Sequence, residues 1–289
     1  MTWEETIKHI RKDQSYEFLV EKTYLDEDLL LNLERFEASE EFTETIKLFQ
    51  EHAPQAKTIL DIGCGNGITA IAFAKLGYEV TAVEPDSSDT VGAGAIRFLA
   101  KHFNLENIRV EESFAEDLNF PSEYFDLTYV RQAMHHANNL SDFIYQAGRM
   151  LKFDGTLITI RDHVIFDKKD KEWFLETHPL HKFYGGENAY KPSEYKDAFV
   201  KAGLKVEKEI KFFDSVINYY PLTINGEGKD ERQMAAMKDS LNSKIGTLSK
   251  VPFIFSLYET YLKYRNNDPT DEKKISGRMY SYVAKKMAK

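Results

Sequence analysis

Leu60-Asp61-Ile62-Gly63-Cys64-Gly65-Asn66-Gly67 is the stretch that decides the fold. Thr58–Ile62 is a short apolar run that reads as a buried strand. Beyond the glycines, Ile68, Ile71, Ala72 and Leu76 share one helical face, and Gly77 stands where a helix-ending glycine belongs. A strand, a glycine-rich turn and a helix in this order put backbone N–H groups at the carboxyl end of a strand, where open α/β sheets bind ligands.

Working outward, the same rhythm repeats. Tyr78–Val83 reads as a second strand, residues 87–103 as a helix, Ile108–Val110 as a third strand and Phe125–Val130 as a fourth. Asn139 and Asp142 cap a helix whose inner face is Leu140, Phe143, Ile144, Ala147 and Leu151, and Asp154-Gly155 turns into a strand over Thr156–Ile160. Residues 163–191 break the alternation. A helix then carries Tyr195, Ala198, Phe199 and Ala202 and stops at Gly203, Val206–Phe213 is a sixth strand and Met279–Ala284 a short last one. Strand and helix in alternation predict an α/β fold: a doubly wound, seven-stranded, mainly parallel sheet with helical cap segments.

The chain reads as a single domain over 1–289. It has an N-terminal helical cap (1–55), a ligand-binding core (56–213 plus 271–289) and a helical insertion (214–270) before the last strand. In the cap, Thr2 and Glu5 have capping-box spacing. Ser39 precedes a helix with Phe42, Ile46 and Phe49 inward and its acidic side chains toward solvent. In the insertion, Met234, Met237, Leu241 and Ile245 form one stripe and Ile254, Leu257, Tyr258 and Tyr261 another, both read as core packing.

Composition narrows the function. The 289 residues carry 38 Lys+Arg against 47 Asp+Glu, a net charge of −9, which argues against a nucleic-acid partner. The single cysteine, Cys64, excludes an intramolecular disulfide and a cysteine-rich zinc cage. No apolar stretch reaches the roughly 18 residues of a membrane span, and no secretory leader is legible, so a cytoplasmic protein without membrane contact is expected.

Two ligands compete for the glycine turn. Dinucleotide binding wants G-x-G-x-x-G, but the glycines here are 63, 65 and 67 and the sixth position is Ile68. Asp61 would also oppose a pyrophosphate. S-adenosylmethionine (SAM) fits better. Asp61 can help hold its ammonium group, and the glycines let it approach the backbone. Glu84, which ends the second strand before Pro85, can accept both ribose hydroxyls.

With these motifs the chain resembles the class I SAM-dependent methyltransferases, especially the branch that includes ubiquinone and menaquinone biosynthesis enzymes. The resemblance spans about 58–160. It implies SAM as cofactor and S-adenosylhomocysteine (SAH) as product, with Asp61, Gly63, Cys64 and Gly65 in the glycine motif and Glu84-Pro85 at the ribose. Ala115-Glu116-Asp117-Leu118 resembles the segment lining the adenine, with Phe114 where many relatives carry Asp. Arg131 and Gln132 would pass beside the methionine part. Leu151-Lys152-Phe153-Asp154-Gly155 resembles the turn before the fifth strand, and residues 277–284 the antiparallel seventh strand. The 214–270 insertion departs from the family's pattern.

Methyl transfer from a sulfonium mainly needs alignment and exclusion of water, so a catalytic signature is not required. The expected reaction is in-line displacement onto a small or medium organic metabolite. A protein methyltransferase and a non-catalytic SAM-binding module are the alternatives. Cytosine C5 methylation is disfavoured because the only cysteine lies in the cofactor loop. Candidate bases are His163, His136 of the His135-His136 pair, and His181. Candidate substrate contacts are Arg161, Tyr184, Asn188, Tyr190 and Tyr219, with His178–Tyr190 as a lid. No metal is expected, because Pro179 disfavours a helical pairing of His178, His181 and Glu187. Monomer and homodimer stay open.

Overall fold

The computed structural model describes residues 1–219, 237–238, 241–265 and 271–288. Its centre is a seven-stranded sheet in the order β3-β2-β1-β4-β5-β7-β6. The strands are β1 (Thr58–Ile62), β2 (Glu79–Val83), β3 (Ile108–Glu111), β4 (Phe125–Arg131), β5 (Leu151–His163), β6 (Leu204–Ile210) and β7 (Met279–Lys286). The first five pair in parallel, and β7 lies antiparallel between β5 and β6. The strand order reverses between β1 and β4, so a crevice opens at their carboxyl ends.

Among the described residues the helices include α1 (Trp3–Ile10), α2 (Glu17–Lys22), α3 (Leu29–Glu37), α4 (Glu40–His52), α5 (Ile68–Lys75), α6 (Ala93–His102), α7 (Leu140–Met150), α8 (Lys168–Thr177), α9 (His181–Tyr184), α10 (Pro192–Lys201), α11 (Val216–Tyr219) and α12 (Pro252–Arg265). On one sheet face Phe36, Phe49 and Phe73 pack with Tyr129 of β4. On the other, Phe143, Tyr195 and Phe199 pack with Tyr282 of β7. Burial on both faces explains why β1 and β2 read as apolar runs rather than alternating ones.

Several local expectations hold. Thr2 and Glu5 form the capping box of α1, and Ser39 accepts from the Phe42 N–H at 3.0 Å to cap α4. Asn139 caps α7, and Gly77 ends α5 with φ +93°.

Others shift. Residues 86–92 are not helical, because the Asp86 side chain accepts from the Ser88 N–H at 2.8 Å and turns the chain before α6. The sixth strand ends at Ile210, and Phe212–Asp214 form a 3₁₀ turn. Helix α5 is buried nearly all round because α3 packs across it, yet Leu76 is exposed. Residues 29–52 join the helical layer on one sheet face. Within α4, Glu41 points inward and is fully buried, against the expectation of a solvated acidic face. Of the insertion stripes, Met234 lies outside the described residues. Leu241 and Tyr258 are buried in one small cluster, while Leu257 and Tyr261 are exposed. Among the described residues no helix is long and apolar enough to cross a membrane.

Candidate active site

The turn after β1 needs its glycines for steric reasons. Gly63 has φ +69°, and a Cβ there would meet the Ala133 Cβ at 2.5 Å. Gly67 has φ +81°, and a Cβ there would meet Ile96 at 2.7 Å. Left-handed backbone and close packing together leave no room for a side chain. Glu84 ends β2 beside this turn, and its carboxylate accepts from the Gly65 N–H at 2.7 Å and the Asp86 N–H at 3.0 Å. Burial pushes the Glu84 carboxyl up to about 7, against those two hydrogen bonds. Asp61 is fully buried beneath the turn, where one oxygen accepts from Thr69 Oγ1 at 2.6 Å and the other has no hydrogen-bond partner. Burial raises it to about 7 as well.

Two adjoining cavities lie over these strand ends. The larger, about 420 Å³, is lined by Glu84, Pro85, Phe114, Ala115 and Glu116. The smaller, about 200 Å³, is lined by Cys64, Gly65, Arg131, His135, His163 and Glu187. Trp3, Gly63, Gln132 and His136 border both. Ile7, Ile10 and Val91 pack with Leu180, Phe183 and Tyr184. The Trp3 and Tyr184 rings meet edge-on at 5.1 Å. Residues 1–28 and α9 thereby roof the crevice.

The expected cofactor residues thus gather at the cavities, with Asp61 set beneath them. Of the expected catalytic residues, His163 and His136 line the smaller cavity, whereas His181 is not among the described lining residues. Of the expected substrate contacts, Tyr184 alone is among the described lining residues of these two cavities, bordering the larger one. Arg161 is turned away: a break in register between Thr159 and Asp162 returns its side chain to α4, 3.3 Å from Glu41. Glu41 also takes Arg131 at 2.6 and 3.1 Å. Although burial opposes its charge, the two guanidinium groups hold the Glu41 carboxyl below its usual range. Tyr219 is buried near Phe212. The Tyr190 hydroxyl donates to the Ala137 carbonyl at 3.2 Å, and Asn188 accepts from the Ala189 N–H at 2.9 Å.

The sequence reading missed what joins the histidines. His135 Nδ1 lies 3.1 Å from Asp162 Oδ1, and its Nε2 lies 3.5 Å from Glu187 Oε2. Glu187 also accepts from the Tyr184 hydroxyl at 2.5 Å and sits 3.6 Å from His178 Nδ1. Burial opposes charge on His135, but the two carboxylates raise it to about 9. Burial opposes charge on Glu187 too, yet His135 holds it well below the usual carboxylate range. Burial, reinforced by His135, pushes His163 well down and His136 down to about 4, so both stay neutral at pH 7. Pro179 argues against a helical pairing of Glu187 with His178 and His181, yet the fold sets Glu187 beside His178 and also brings it to His135 and His163. Its signal was the dense polar-aromatic run His178–Tyr190. Tyr24, which lines the smaller cavity, had none.

Residues 33–209 match a family model described as a methyltransferase domain. An uncharacterized methyltransferase, YcgJ of Bacillus subtilis (strain 168), is 33% identical over 105 residues, 36% of this chain and 40% of that protein. A ubiquinone biosynthesis O-methyltransferase of Rickettsia canadensis (strain McKiel) is 28% identical over 181 residues, 58% of this chain and 72% of that protein. The chain spans about two fifths of the length of the first of these relatives. The crystal structure of YcgJ from Bacillus subtilis superposes with a TM-score of 0.53 at 20% identity, over 86% of this chain and 100% of that one. A geranyl diphosphate methyltransferase in complex with SAM superposes with a TM-score of 0.57 at 14% identity, over 91% and 92%. At such identities the likeness is one of fold. The family match covers more than half the chain and includes the glycine turn, Glu84, β1 to β5 and most of β6. The chain belongs to the methyltransferase domain family.

Proposed function

We propose that the chain is a SAM-dependent methyltransferase acting on a small or medium organic metabolite. The observation that carries this reading is the pair of adjoining cavities that share Gly63, Gln132 and His136, with the Glu84 carboxylate in the larger and the neutral His163 in the smaller. The larger cavity suits the adenosine of SAM, with Glu84 on the ribose hydroxyls and Phe114, Ala115 and Glu116 along the adenine. The ribose hydroxyls would add to the two N–H donors that already orient the Glu84 carboxylate. Arg131, held by Glu41 on the wall of the smaller cavity, is the candidate partner of the methionine carboxylate, and the unpartnered Asp61 oxygen lies beneath the same turn.

SAM supplies an electrophilic methyl group on a positively charged sulfur. The residues align the acceptor and exclude water, which is the main requirement of an in-line displacement. Trp3, Leu180 and Tyr184 close the crevice over the reacting atoms. Neutral His136, which borders both cavities, offers the acceptor a hydrogen-bonding group without repelling the sulfonium. The roofed crevice supports a small acceptor over a protein one, and relatives named for ubiquinone biosynthesis support the same class.

Calorimetric titration with SAH tests the cofactor, and micromolar or tighter binding is expected. No binding at millimolar SAH, by protein that is folded and ligand-free, would sink the reading. Labelled SAM with fractionated cell metabolites then tests catalysis. Label entering no fraction would favour the non-catalytic alternative.

A further inference from the structure

Three side chains on the wall of the smaller cavity each have one end anchored. His135 Nδ1 lies 3.1 Å from Asp162 Oδ1, which also accepts the His135 main-chain N–H at 3.2 Å. His163 Nδ1 lies 3.1 Å from the Gly277 carbonyl oxygen. One Glu187 oxygen accepts from the Tyr184 hydroxyl at 2.5 Å, and the other, Oε2, has no hydrogen-bond partner although the residue is only 8% exposed. His135 and His163 are 2% and 7% exposed. One ligand atom from each of the three residues lies within 4.8 Å of those from the other two.

We infer that His135, His163 and Glu187 bind a divalent first-row transition-metal ion whose open coordination positions face the acceptor cavity. An imidazole that ligates a metal through one nitrogen characteristically gives the other to a carboxylate or a main-chain carbonyl. Both histidines carry that anchor, on Asp162 and on Gly277, and it leaves Nε2 of each ring to ligate. Two imidazoles and one carboxylate suit zinc, iron or cobalt and leave positions open, whereas magnesium and calcium want an all-oxygen shell. An ion fills the gap that the ion pair leaves, since His135 Nε2 and Glu187 Oε2 stand 3.5 Å apart, too far for a good hydrogen bond. Bonds of about 2.1 Å place two ligands at most ~4.2 Å apart, so any pair wider than that draws inward on binding. His178 Nδ1, also without a hydrogen-bond partner, is the adjacent group able to complete the shell. The open positions would take a hydroxyl, carboxylate or carbonyl oxygen of the methyl acceptor. This choice of substrate class rests on the function proposed above; the metal site does not.

The test titrates chelator-stripped full-length protein with Zn²⁺ by calorimetry and follows the imidazole ¹⁵N resonances, with SAH titrated in parallel. One Zn²⁺ per chain is expected, with the Nε2 resonances of His135 and His163 shifting together. Glu187→Gln, which keeps the side-chain shape, and His163→Ala should each weaken binding by about ten- to a hundredfold while melting as folded proteins. The ¹⁵N shifts of the wild-type protein decide the matter if either variant fails to fold. Unshifted imidazole nitrogens, or undiminished Zn²⁺ affinity in folded variants, would overturn the site. SAH binding without Zn²⁺ binding would refute the metal alone; Zn²⁺ binding without SAH binding would refute the methyltransferase reading alone.

Discussion

Glu84 is where a single side chain carries the most testable chemistry. It is buried beside the glycine turn, and its carboxyl is raised to about 7. Removing it in Glu84→Ala should weaken SAH binding by about 1–3 kcal/mol, the cost of losing hydrogen bonds to a charged group. Unchanged affinity in calorimetry would take Glu84 out of the ribose site. The same carboxyl sets a pH dependence. Ribose hydroxyls donate to the ionised form, so the ligand binds the deprotonated state. Because burial raises the free protein's carboxyl to about 7, a proton must leave on binding below that pH. SAH affinity should therefore fall by roughly tenfold from pH 8 to pH 6, with proton uptake by buffer, and flatten in Glu84→Gln. A profile as steep in the variant as in the wild type would assign the proton elsewhere.

At the scale of elements, the decisive contact joins α4 to the ends of β4 and β5. Glu41 is fully buried between Arg131 and Arg161. Glu41→Ala leaves the buried Arg161 and the partly buried Arg131 without their carboxylate, and should cost about 3–5 kcal/mol in denaturant unfolding. A loss below about 1 kcal/mol, the size of an exposed pair, would mean that solvent reaches the arginines. None of this was legible in the sequence. Glu41 sits among acidic neighbours in a helix, and helical periodicity assigns such residues to solvent. Arg161 lies within β5 at a bulge that breaks the strand's alternation, so its side chain leaves the cavity for which strand-end position nominates it.

For the whole molecule, residues 1–28 and α9 roof a crevice that the sheet alone would leave open. A ligand the size of SAM must enter past them, and once bound it favours the closed arrangement. SAH should accordingly slow tryptic cleavage after the exposed Lys12 while raising the melting temperature. Cleavage at an unchanged rate under saturating SAH would show that the roof does not respond to the cofactor site.

Sequence alone determined the sheet, its seven strands, the glycine turn and the carboxylate that ends β2. Each is written in local terms: period and run length in the strands, φ > 0 and close packing at Gly63 and Gly67, and a carboxylate at the end of β2. Tertiary structure decided the wall of the smaller cavity. Asp162, Glu187 and Gly277 reach the histidines from β5, from the segment after α9 and from the approach to β7, separations over which no local pattern constrains the partners. It also decided which polar groups were buried, because burial depends on what packs opposite. That is why Glu41 and Arg161 moved from surface and site to core, while His135, His163 and Glu187 met at one wall.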